Sequence, residues 1–564
     1  MPLRRTAAGT TPSLKPKTSL SIPLIDSPLP SPVLPSIIPT HGQRRPGSGK
    51  RRAFRILSLC AVIFILTRIP LIAVFNAFPL VLGWFVGDQD YQLPPILPDS
   101  ASPVIMKNEH GRQKWTVHIP ADMELPLSLP QMRDLCSNCL QMSQQVSHGK
   151  FQSFDYFRPD PNFIDIADRQ AKSMLSAENK QDAFCETSLT FVMQSEDAGL
   201  GNTLMNLFMS YGLAQKQGRS FFIDDTNWAY GTFSAYFKPL PKPACRPPPL
   251  AYRVPCPLQA RHLVVSSSNA HLIFGDSFEE YFRSPFVAGE TQQKEIFDMA
   301  HTGYEALFHI IGDDAVYLQQ RILGLNREVR SKGGIAVGVH VRHGDTHPLE
   351  AQYSDSYIPL DLYVKKLSTI IRTHLEQADS DSALAQSMIS HSKIMLASDD
   401  PDVYSSLELG GAERAQNYIS LASKSSLDAA NDQQELLADE NSGWEGGFFQ
   451  DMFWSLGVAA DYSLVGGPLP SNRGPTDSKT LSLGSVAEQH RLQPSKEALS
   501  LREWIGRAYL LDLAVLSQSD QVLCGISSAS CRLLAVMMGW NKAITRQSWQ
   551  NIDGNWSWSH SLPR

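Results

Sequence analysis

The first 50 residues contain no aromatic residue, and the first 55 contain a single acid, Asp26, against ten Lys or Arg residues. A segment rich in Pro, Ser and Thr without aromatic residues cannot bury enough apolar surface to fold. This excludes a folded domain at the amino terminus, and we interpret residues 1–55 as a disordered basic tail. A wholly disordered or fibrous protein is excluded as well, because 42% of the chain is hydrophobic.

The remainder of the chain lacks the basic excess that nucleic-acid binding requires. The chain has 50 Lys and Arg and 56 Asp and Glu residues; ten basic residues and one acid lie in the tail, which leaves 40 basic against 55 acidic residues. A surface with this net charge repels a phosphate backbone. We therefore exclude nucleic acid as a partner of the folded part.

An apolar stretch at residues 56–87 is long enough to cross a membrane, which takes about 20 residues. It starts too far from the amino terminus for a cleaved signal peptide. Positive charge precedes it, which predicts the signal anchor of a single-pass type II protein with a cytosolic tail and a lumenal or extracellular bulk. The span is either 56–75, which buries Arg68, or 69–87, which leaves Arg68 at the cytosolic edge. A two-helix hairpin is a further alternative.

The eight cysteines lack the spacing of a zinc site, because no second pair of ligands accompanies Cys136 and Cys139. Seven cysteines lie beyond the apolar stretch. In an oxidising lumen, Cys136 with Cys139 and Cys245 with Cys256 predict two disulfides. The odd count predicts one thiol that is unpaired or paired between chains. Asn555-Trp556-Ser557 is a glycosylation sequon in the same part of the chain.

Composition divides the chain beyond the span into three parts. Residues 88–150 are Pro-rich and predict a stem. Residues 151–330 and 331–564 predict an N-terminal and a C-terminal α/β lobe, and 466–499 within the latter predicts a flexible insertion. A loop is expected at Asp379–Ser390. The C-terminal lobe is expected to have strands at Ile335–Val341, Lys393–Ala397 and Gln521–Cys524, with helices near Leu362–Leu375, Glu503–Gln518 and Ala529–Met538.

A β-loop-α-β unit is predicted in the N-terminal lobe. Ser188–Met193 is strand-like, Gly199-Leu200-Gly201 forms a turn, a helical apolar period follows from Leu204, and Ser220–Ile223 is a second strand. A glycine turn before a helix lets backbone amides approach a phosphate. An ordinary tight turn is the alternative interpretation.

The sequence VHVRHGDT at 339–346 closes the apolar run of the first C-terminal strand. His340, Arg342 and Asp345 are therefore expected at the carboxyl end of a buried strand, where ligands bind in open α/β sheets. A guanidinium at such a position suits a phosphate oxygen and stays charged. The pattern predicts a site for an anionic group, best matched by a nucleotide diphosphate.

Three further groups of polar residues either follow a predicted strand or interrupt an apolar stretch. Asp399 and Asp400 come after a strand, where they can cap a helix, orient site residues or hold a metal. Asp512 is an acid in an apolar stretch and needs a hydrogen-bonding partner, either a nucleotide base or ribose or an internal arginine. Ser528 stands between a strand and a helix, where it suits an anion or a helix cap.

Taken together, these blocks resemble the GDP-fucose-dependent alpha-1,6-fucosyltransferases, the family of core fucosyltransferase and of the rhizobial nodulation fucosyltransferase. The resemblance covers roughly residues 187–540. It implies an α/β, GT-B-like two-lobed glycosyltransferase with a Rossmann-like nucleotide-binding lobe, here preceded by a single transmembrane helix, in a Golgi or other secretory-pathway membrane. The matching blocks are Gly199-Leu200-Gly201 with Asn227-Trp228-Ala229-Tyr230, His340–Asp345, Leu396–Pro401, and Asp512–Ser528.

Carried over to matching positions, the resemblance implies that Arg342 binds the β-phosphate of GDP and neutralises the leaving group. It implies an inverting transfer of fucose without a metal or other cofactor, with Glu350 as the catalytic base and His343 as the second candidate. The remaining donor-site residues are then Gly199, Gly201 and Ser528 at the phosphates, Tyr230 at the ribose, Asp512 and the His340 backbone at guanine, and Asp345, Asp399 and Asp400 as positioning groups.

Three positions depart from the family pattern. His343 replaces its second arginine, Thr346 the lysine after its aspartate, and Ala529 the glutamine after its paired serines. The leading hypothesis is a fucosyltransferase acting on a glycan or glycoprotein hydroxyl. The alternatives are a transferase that uses another nucleotide sugar and a membrane-anchored pseudoenzyme that binds nucleotide or glycan without turnover.

Overall fold

A computed structural model describes residues 91–146, 156–157, 160–166, 184–195, 199–282, 289–343, 356–377, 388–419, 453–454 and 494–554. All of them fall in the second of two compact units, Met1–Asp88 and Gln89–Arg564. The predicted tail, membrane span, most of the 466–499 insertion and the sequon at Asn555 lie outside the described residues. Within them, no helix is both long and apolar enough to cross a membrane.

Residues 91–146 contain two strands and a helix, whereas the sequence predicted a Pro-rich stem at 88–150. Strands β1 (Ser102–Lys107) and β2 (Gln113–His118) form an antiparallel hairpin, and helix α1 (Leu129–Val146) follows. Trp115 and Leu135 are fully buried in one apolar cluster with Val264. The proline content of this segment obscured an alternating strand pattern whose apolar side is covered by later parts of the chain.

The disulfides also differ from the predicted pairs. Cys136 bonds to Cys256, Cys185 to Cys245, and Cys524 to Cys531. Cys136 and Cys139 are three positions apart on α1, where Cβ atoms lie about 5–6 Å apart, too far for a disulfide. The prediction of one unpaired thiol is confirmed: Cys139 is buried and free, and burial raises its pKa to about 12.

The predicted β-loop-α-β unit is confirmed. Strand β3 (Ser188–Val192), helix α2 (Leu200–Gln217) and strand β4 (Ser220–Asp224) follow one another, and β5 (His262–Val265) completes a parallel sheet of order β4-β3-β5. The helices between and after these strands are α3 (Phe233–Tyr236), α4 (Ala270–Ile273), α5 (Asp276–Phe282), α6 (Gly289–Leu307) and α7 (Gly312–Glu328).

A second parallel sheet, of order β10-β9-β6-β7-β8, forms the C-terminal part. The predicted strands and helices are confirmed with shifted ends, and Gln521–Cys524 and Ala529–Met538 match at both ends. Its elements are β6 (Ala336–Val341), α8 (Leu360–Gln377), β7 (Lys393–Ser398), α9 (Pro401–Ser405), β8 (Glu413–Arg414), α10 (Lys496–Ser517), β9 (Gln521–Cys524), α11 (Ala529–Met538) and β10 (Trp549–Asn551).

Two predicted loops extend too far and include residues that are helical in the structure. Helix α10 begins at Lys496, inside the predicted insertion, because Ser495 accepts a hydrogen bond from the Ala498 amide at 3.1 Å and caps it. The last residues of the predicted loop Asp379–Ser390 belong to a helical turn at 388–391. Both errors are at element ends, where a single capping contact decides the boundary.

The chain passes from β6 to β7 and β8 on one side of the sheet and then crosses to β9 and β10 on the other. The strand order therefore reverses between β6 and β9. In open α/β sheets, ligands bind outside the carboxyl ends of the strands at such a reversal. Arg342 follows the carboxyl end of β6, at the edge where this rule places a ligand.

Strand β6 is buried along its whole length, and the side chains on its two faces differ in size. Val337, Val339 and Val341 belong to an apolar cluster with Tyr363 of α8. On the other face, a Cβ added to Gly338 would lie 3.0 Å from the Ser519 Oγ and 3.3 Å from the Leu516 carbonyl oxygen. The glycine therefore lets α10 approach the sheet closely.

We expect Gly338→Val to lower the free energy of unfolding by about 1–3 kcal/mol, because the added carbons overpack the contact with α10. The matched variant Gly411→Val adds the same atoms where nothing lies within 4 Å. It should change stability by less than about 0.5 kcal/mol. Denaturant unfolding of both variants measures the difference, and equal stabilities would contradict the close packing.

Candidate active site

Two carboxylates that follow β7 hold the two residues that follow β6. The Arg342 guanidinium forms an ion pair with Asp399. The other Asp399 oxygen accepts a hydrogen bond from the His343 amide at 2.7 Å. Val341 of β6 pairs with Ser398 of β7 at the end of both strands. The two carboxylates that follow Ser398 therefore lie beside the two residues that follow Val341. Of the alternatives for Asp399, the geometry favours orientation of site residues.

Asp400 serves two functions at once. Its Oδ1 accepts a hydrogen bond from the Asp402 amide at 2.9 Å and caps α9, as capping predicted. Its Oδ2 lies 2.9 Å from the His343 Nδ1. The His343 ring also stacks on Tyr357, with ring centroids 4.5 Å apart. The imidazole is thus fixed in position by a carboxylate and an aromatic face.

His340 lies in β6 with its side chain buried. Burial and the neighbouring Arg342 charge lower its pKa to about 3. The imidazole is therefore neutral at ordinary pH and adds no charge to the site. Its Nδ1 has no hydrogen-bond partner in the described part of the chain.

The first turns of helices α2 and α11 meet at this edge. A Cβ added to Gly201 of α2 would lie 2.7 Å from the Tyr509 Oη, 3.1 Å from the Ala529 Cβ and 3.6 Å from the Ser530 amide nitrogen. Ser528 caps α11 by accepting a hydrogen bond from the Ser530 amide at 3.3 Å. The start of a helix carries partial positive charge and amides without intrahelical partners, so the contact brings anion-binding groups of two helices together.

Tyr509 of α10 joins these two helix starts. Its hydroxyl lies 2.8 Å from the Ser530 Oγ. Burial raises the pKa of Tyr509 to about 12, while the Ser530 hydrogen bond and the charge of Arg342 act in the opposite direction. Arg342 therefore lies close enough to Tyr509 to interact with it, which connects the strand end with the helix starts.

The loop that precedes α11 is held by β10 and the residues after it. The Ile526 amide donates to the Asn551 Oδ1 at 2.9 Å, and the Ser527 amide to the Asp553 Oδ2 at 3.3 Å. A Cβ on Gly525 would lie 2.4 Å from the Ile358 Cδ1, so a larger residue there requires the Ile358 side chain to move. These contacts fix the path of residues 525–528 across the sheet edge.

Tyr230 is buried against α10. A Cβ on Gly506 would lie 3.0 Å from the Tyr230 ring, and the Tyr236 hydroxyl donates to the Tyr230 carbonyl at 2.6 Å. Its ring packs on Phe453 at 4.8 Å, and Arg502 donates to the Phe453 carbonyl at 3.3 Å. Tyr230 is therefore held by α10 on one side and by Phe453 on the other.

Asp512 is partly buried and lies one helical turn beyond Tyr509. Its Oδ1 accepts a hydrogen bond from the Gln416 amide at 3.1 Å. Burial raises its pKa to about 8, against smaller opposite effects of that hydrogen bond and of Arg414. Among the described residues no arginine forms an ion pair with it, so the internal-arginine alternative is not what satisfies this carboxyl group.

One face of α10 organises the site, and the sequence analysis missed part of it. Gly506, Tyr509 and Asp512 recur every three residues and contact, in turn, Tyr230, the α2–α11 junction and Gln416. Only Asp512 was singled out from the sequence. The three-residue period of a glycine, a tyrosine and an acid within an apolar helix was the available signal.

The predicted site residues Arg342, His343, His340, Asp399 and Asp400 lie together at the β6–β7 ends. Asp345 and Glu350 lie outside the described residues, as does Thr346. Among the residues that are described, no group of three or more His, Cys, Asp or Glu side chains suits a metal ion. The other predicted donor-site residues lie on surrounding elements: Gly199, Gly201, Tyr230, Asp512 and Ser528.

Asp512 is expected to make stability depend on pH. With its pKa near 8 instead of its usual 3.8, the folded chain keeps a proton that the unfolded chain releases. This contribution is complete below about pH 4 and is lost as the pH rises through 8. Asp512→Asn should therefore flatten the fall in unfolding free energy between pH 5 and 8.5 by about 1–3 kcal/mol. Denaturant unfolding at both pH values tests this, and parallel curves would contradict it.

No family model matches the chain, and no curated protein matches it. Solved structures that match include NodZ alpha-1,6-fucosyltransferase soaked with GDP-fucose, which is 13% identical over 62% of this chain and 93% of that one, with a TM-score of 0.25. Fucosyltransferase NodZ from Bradyrhizobium is 14% identical over 62% and 92%, with a TM-score of 0.24. They belong to the family that the sequence blocks resemble.

Proposed function

We propose that this protein is a GT-B-like glycosyltransferase that transfers fucose from GDP-fucose to a hydroxyl of a glycan or glycoprotein, with inversion and without a metal. The observation that carries the proposal is the convergence of Arg342 with the starts of α2 and α11, through Tyr509, where the strand order reverses. A guanidinium and two helix starts are suited to a diphosphate, whose negative charge grows as the sugar bond breaks.

Asp512 supports guanine as the base of the donor. Guanine presents two adjacent N–H donors on one edge, and an ionised carboxylate accepts from both. Uracil offers a single N–H on the corresponding edge and so makes one charge-assisted hydrogen bond fewer with this carboxylate. This position therefore favours GDP over UDP. The His340 backbone and the ribose contact by Tyr230 complete the proposed donor site.

The remaining roles rest on the sequence resemblance. Gly199, Gly201 and Ser528 are assigned to the phosphates, and Asp345, Asp399 and Asp400 to positioning. The acceptor hydroxyl requires a base, for which the resemblance implies Glu350 first and His343 second.

We also propose a type II membrane protein whose catalytic part faces the lumen of the Golgi or another secretory compartment. The basic residues before the apolar segment at 56–87 support this orientation. Three disulfides in the described part of the chain support an oxidising compartment, because cytosolic proteins seldom keep structural disulfides.

Calorimetric titration tests the donor site. Wild-type protein should bind GDP and GDP-fucose, and UDP at least tenfold more weakly. Arg342→Ala should weaken GDP binding about 10–100-fold, because it removes a charge-assisted contact to phosphate. Arg330→Ala is the matched control: its side chain is as exposed as that of Arg342, 29%, and it also pairs with an aspartate, Asp520, but it lies before β6.

The result separates the alternatives. Folded wild-type protein that binds no GDP would contradict the donor assignment, and preferred UDP binding would indicate another nucleotide sugar. GDP-fucose binding without consumption in the presence of a broad set of glycans would indicate a pseudoenzyme. A loss of affinity in Arg330→Ala equal to that in Arg342→Ala would show a general effect of the substitution on the fold.

Guanine recognition by Asp512 should make GDP affinity depend on pH. Only the ionised carboxylate accepts from guanine, and its pKa in the free protein is about 8. Affinity should therefore rise roughly 10–50-fold from pH 6 to 8 and then level off. Asp512→Asn should remove this rise while keeping the phosphate's own titration, so the ratio of the two proteins isolates the carboxylate. A constant ratio across this range would contradict the guanine contact.

A further inference from the structure

The His343 side chain is restrained more tightly than a surface histidine requires. Its Nδ1 lies 2.9 Å from the Asp400 Oδ2, its backbone amide donates to Asp399 at 2.7 Å, and its ring stacks on Tyr357 at 4.5 Å. Its Nε2 is buried and has no hydrogen-bond partner within the described ranges. These three contacts fix the residue and the orientation of its ring, with Nδ1 toward Asp400 and Nε2 away from every hydrogen-bonding group that the structure describes.

The partner of Nδ1 fixes the tautomer. An ionised carboxylate can only accept hydrogen bonds, so the Nδ1 must carry a proton and donate it in the hydrogen bond to Asp400. In the neutral ring, the Nε2 is then a bare acceptor with a lone pair. A buried acceptor without a partner costs free energy, so such a group in a native protein calls for an explanation, and a catalytic role is one of those known.

We propose that His343 is the catalytic base that accepts the proton of the acceptor hydroxyl, and that Asp400 is its positioning residue. This rests on the proposed transferase function, because the hydroxyl attacks a sugar whose leaving group is bound at Arg342. His343 and Arg342 follow one another in the chain but pair with different carboxylates, Asp400 and Asp399. The two tasks, taking a proton and neutralising the leaving group, are thereby assigned to separate, individually fixed side chains.

The proton and electron balance is simple. The acceptor oxygen forms a bond to C1 of the fucosyl group while the bond from C1 to the β-phosphate oxygen breaks, and its electron pair leaves with GDP. The hydroxyl proton passes to the Nε2 and gives an imidazolium that donates to Asp400 through Nδ1. This cation is stabilised by the adjacent carboxylate and then loses its proton to solvent.

A permanent charge at position 343 and a base at Glu350 are the two rival hypotheses. If this position needs only a permanent positive charge near the diphosphate, arginine can replace histidine, because it also pairs with a carboxylate. If Glu350 is the base, replacing His343 with glutamine leaves the rate of the chemical step unchanged. A set of four variants separates these cases: His343→Gln, His343→Arg, Asp400→Asn and Glu350→Gln.

The experiment measures GDP-fucose binding by calorimetry and GDP release from GDP-fucose, with water or a broad glycan mixture as acceptor, for the full chain and each variant. His343→Gln and His343→Arg should lower the turnover rate about 10²–10⁴-fold, the usual contribution of a general base, with binding changed less than threefold. Asp400→Asn should lower turnover about tenfold. Glu350→Gln should lower turnover less than His343→Gln does.

Nitrogen-15 spectra of the His343 ring provide a readout that a merely structural role would not affect. Wild-type protein should show the tautomer with a protonated Nδ1 and a bare Nε2, and Asp400→Asn should shift the ring toward the other tautomer. The His343→Gln spectrum assigns the signal. A wild-type ring protonated at Nε2 alone would overturn the positioning by Asp400.

The outcomes distinguish this proposal from the function on which it rests. Wild-type protein that binds no GDP-fucose refutes the transferase assignment, and the base role with it. Wild-type protein that binds and turns over the donor, with His343→Gln or His343→Arg equally active, refutes only the base role. Loss of turnover in Glu350→Gln with an active His343→Gln assigns the base to Glu350 instead.

Discussion

The site depends on two adjacent carboxylates at the end of one strand. Asp399 pairs with Arg342 and receives the His343 amide, while Asp400 receives the His343 ring and caps α9. Without these partners, two cationic or polar side chains at the carboxyl end of β6 would have no fixed orientation. The parallel register of β6 and β7 makes the arrangement possible, because it brings both strand ends to the same level of the sheet.

Helix α10 connects this strand end with the rest of the proposed donor site. Its residues Gly506, Tyr509 and Asp512 lie on one face and contact segments that are far apart in the chain. Gly201 and Gly506 permit these approaches, since a Cβ at either position would come within about 3 Å of a neighbouring side chain. Residues from both parallel sheets belong to one continuous apolar core, so the helix starts of α2 and α11 are held together by ordinary packing as well as by the site itself.

The sequence predicted the elements whose signals are local. Gln521–Cys524 and Ala529–Met538 were correct at both ends, because an apolar strand, a serine cap and an apolar helix follow one another there. Arg342, Asp399 and Ser528 were also identified from their positions after predicted strands. Tyr509 was missed because its surroundings, Ser530 and Gly201, come from other parts of the chain. The folded segment at 91–146 was missed because its apolar side is buried by residues more than one hundred positions away.

The sequence by itself determined the alternation of strands and helices, the acid-rich character of the folded part, and the residue types at the strand ends. These follow from local composition and periodicity, which act over a few residues. Only the tertiary structure decided that Cys136 bonds to Cys256 rather than to Cys139, that Asp400 faces His343, and that α10 supplies Tyr509. Each of these depends on distances between segments remote in sequence, which are set by how the sheets and helices pack.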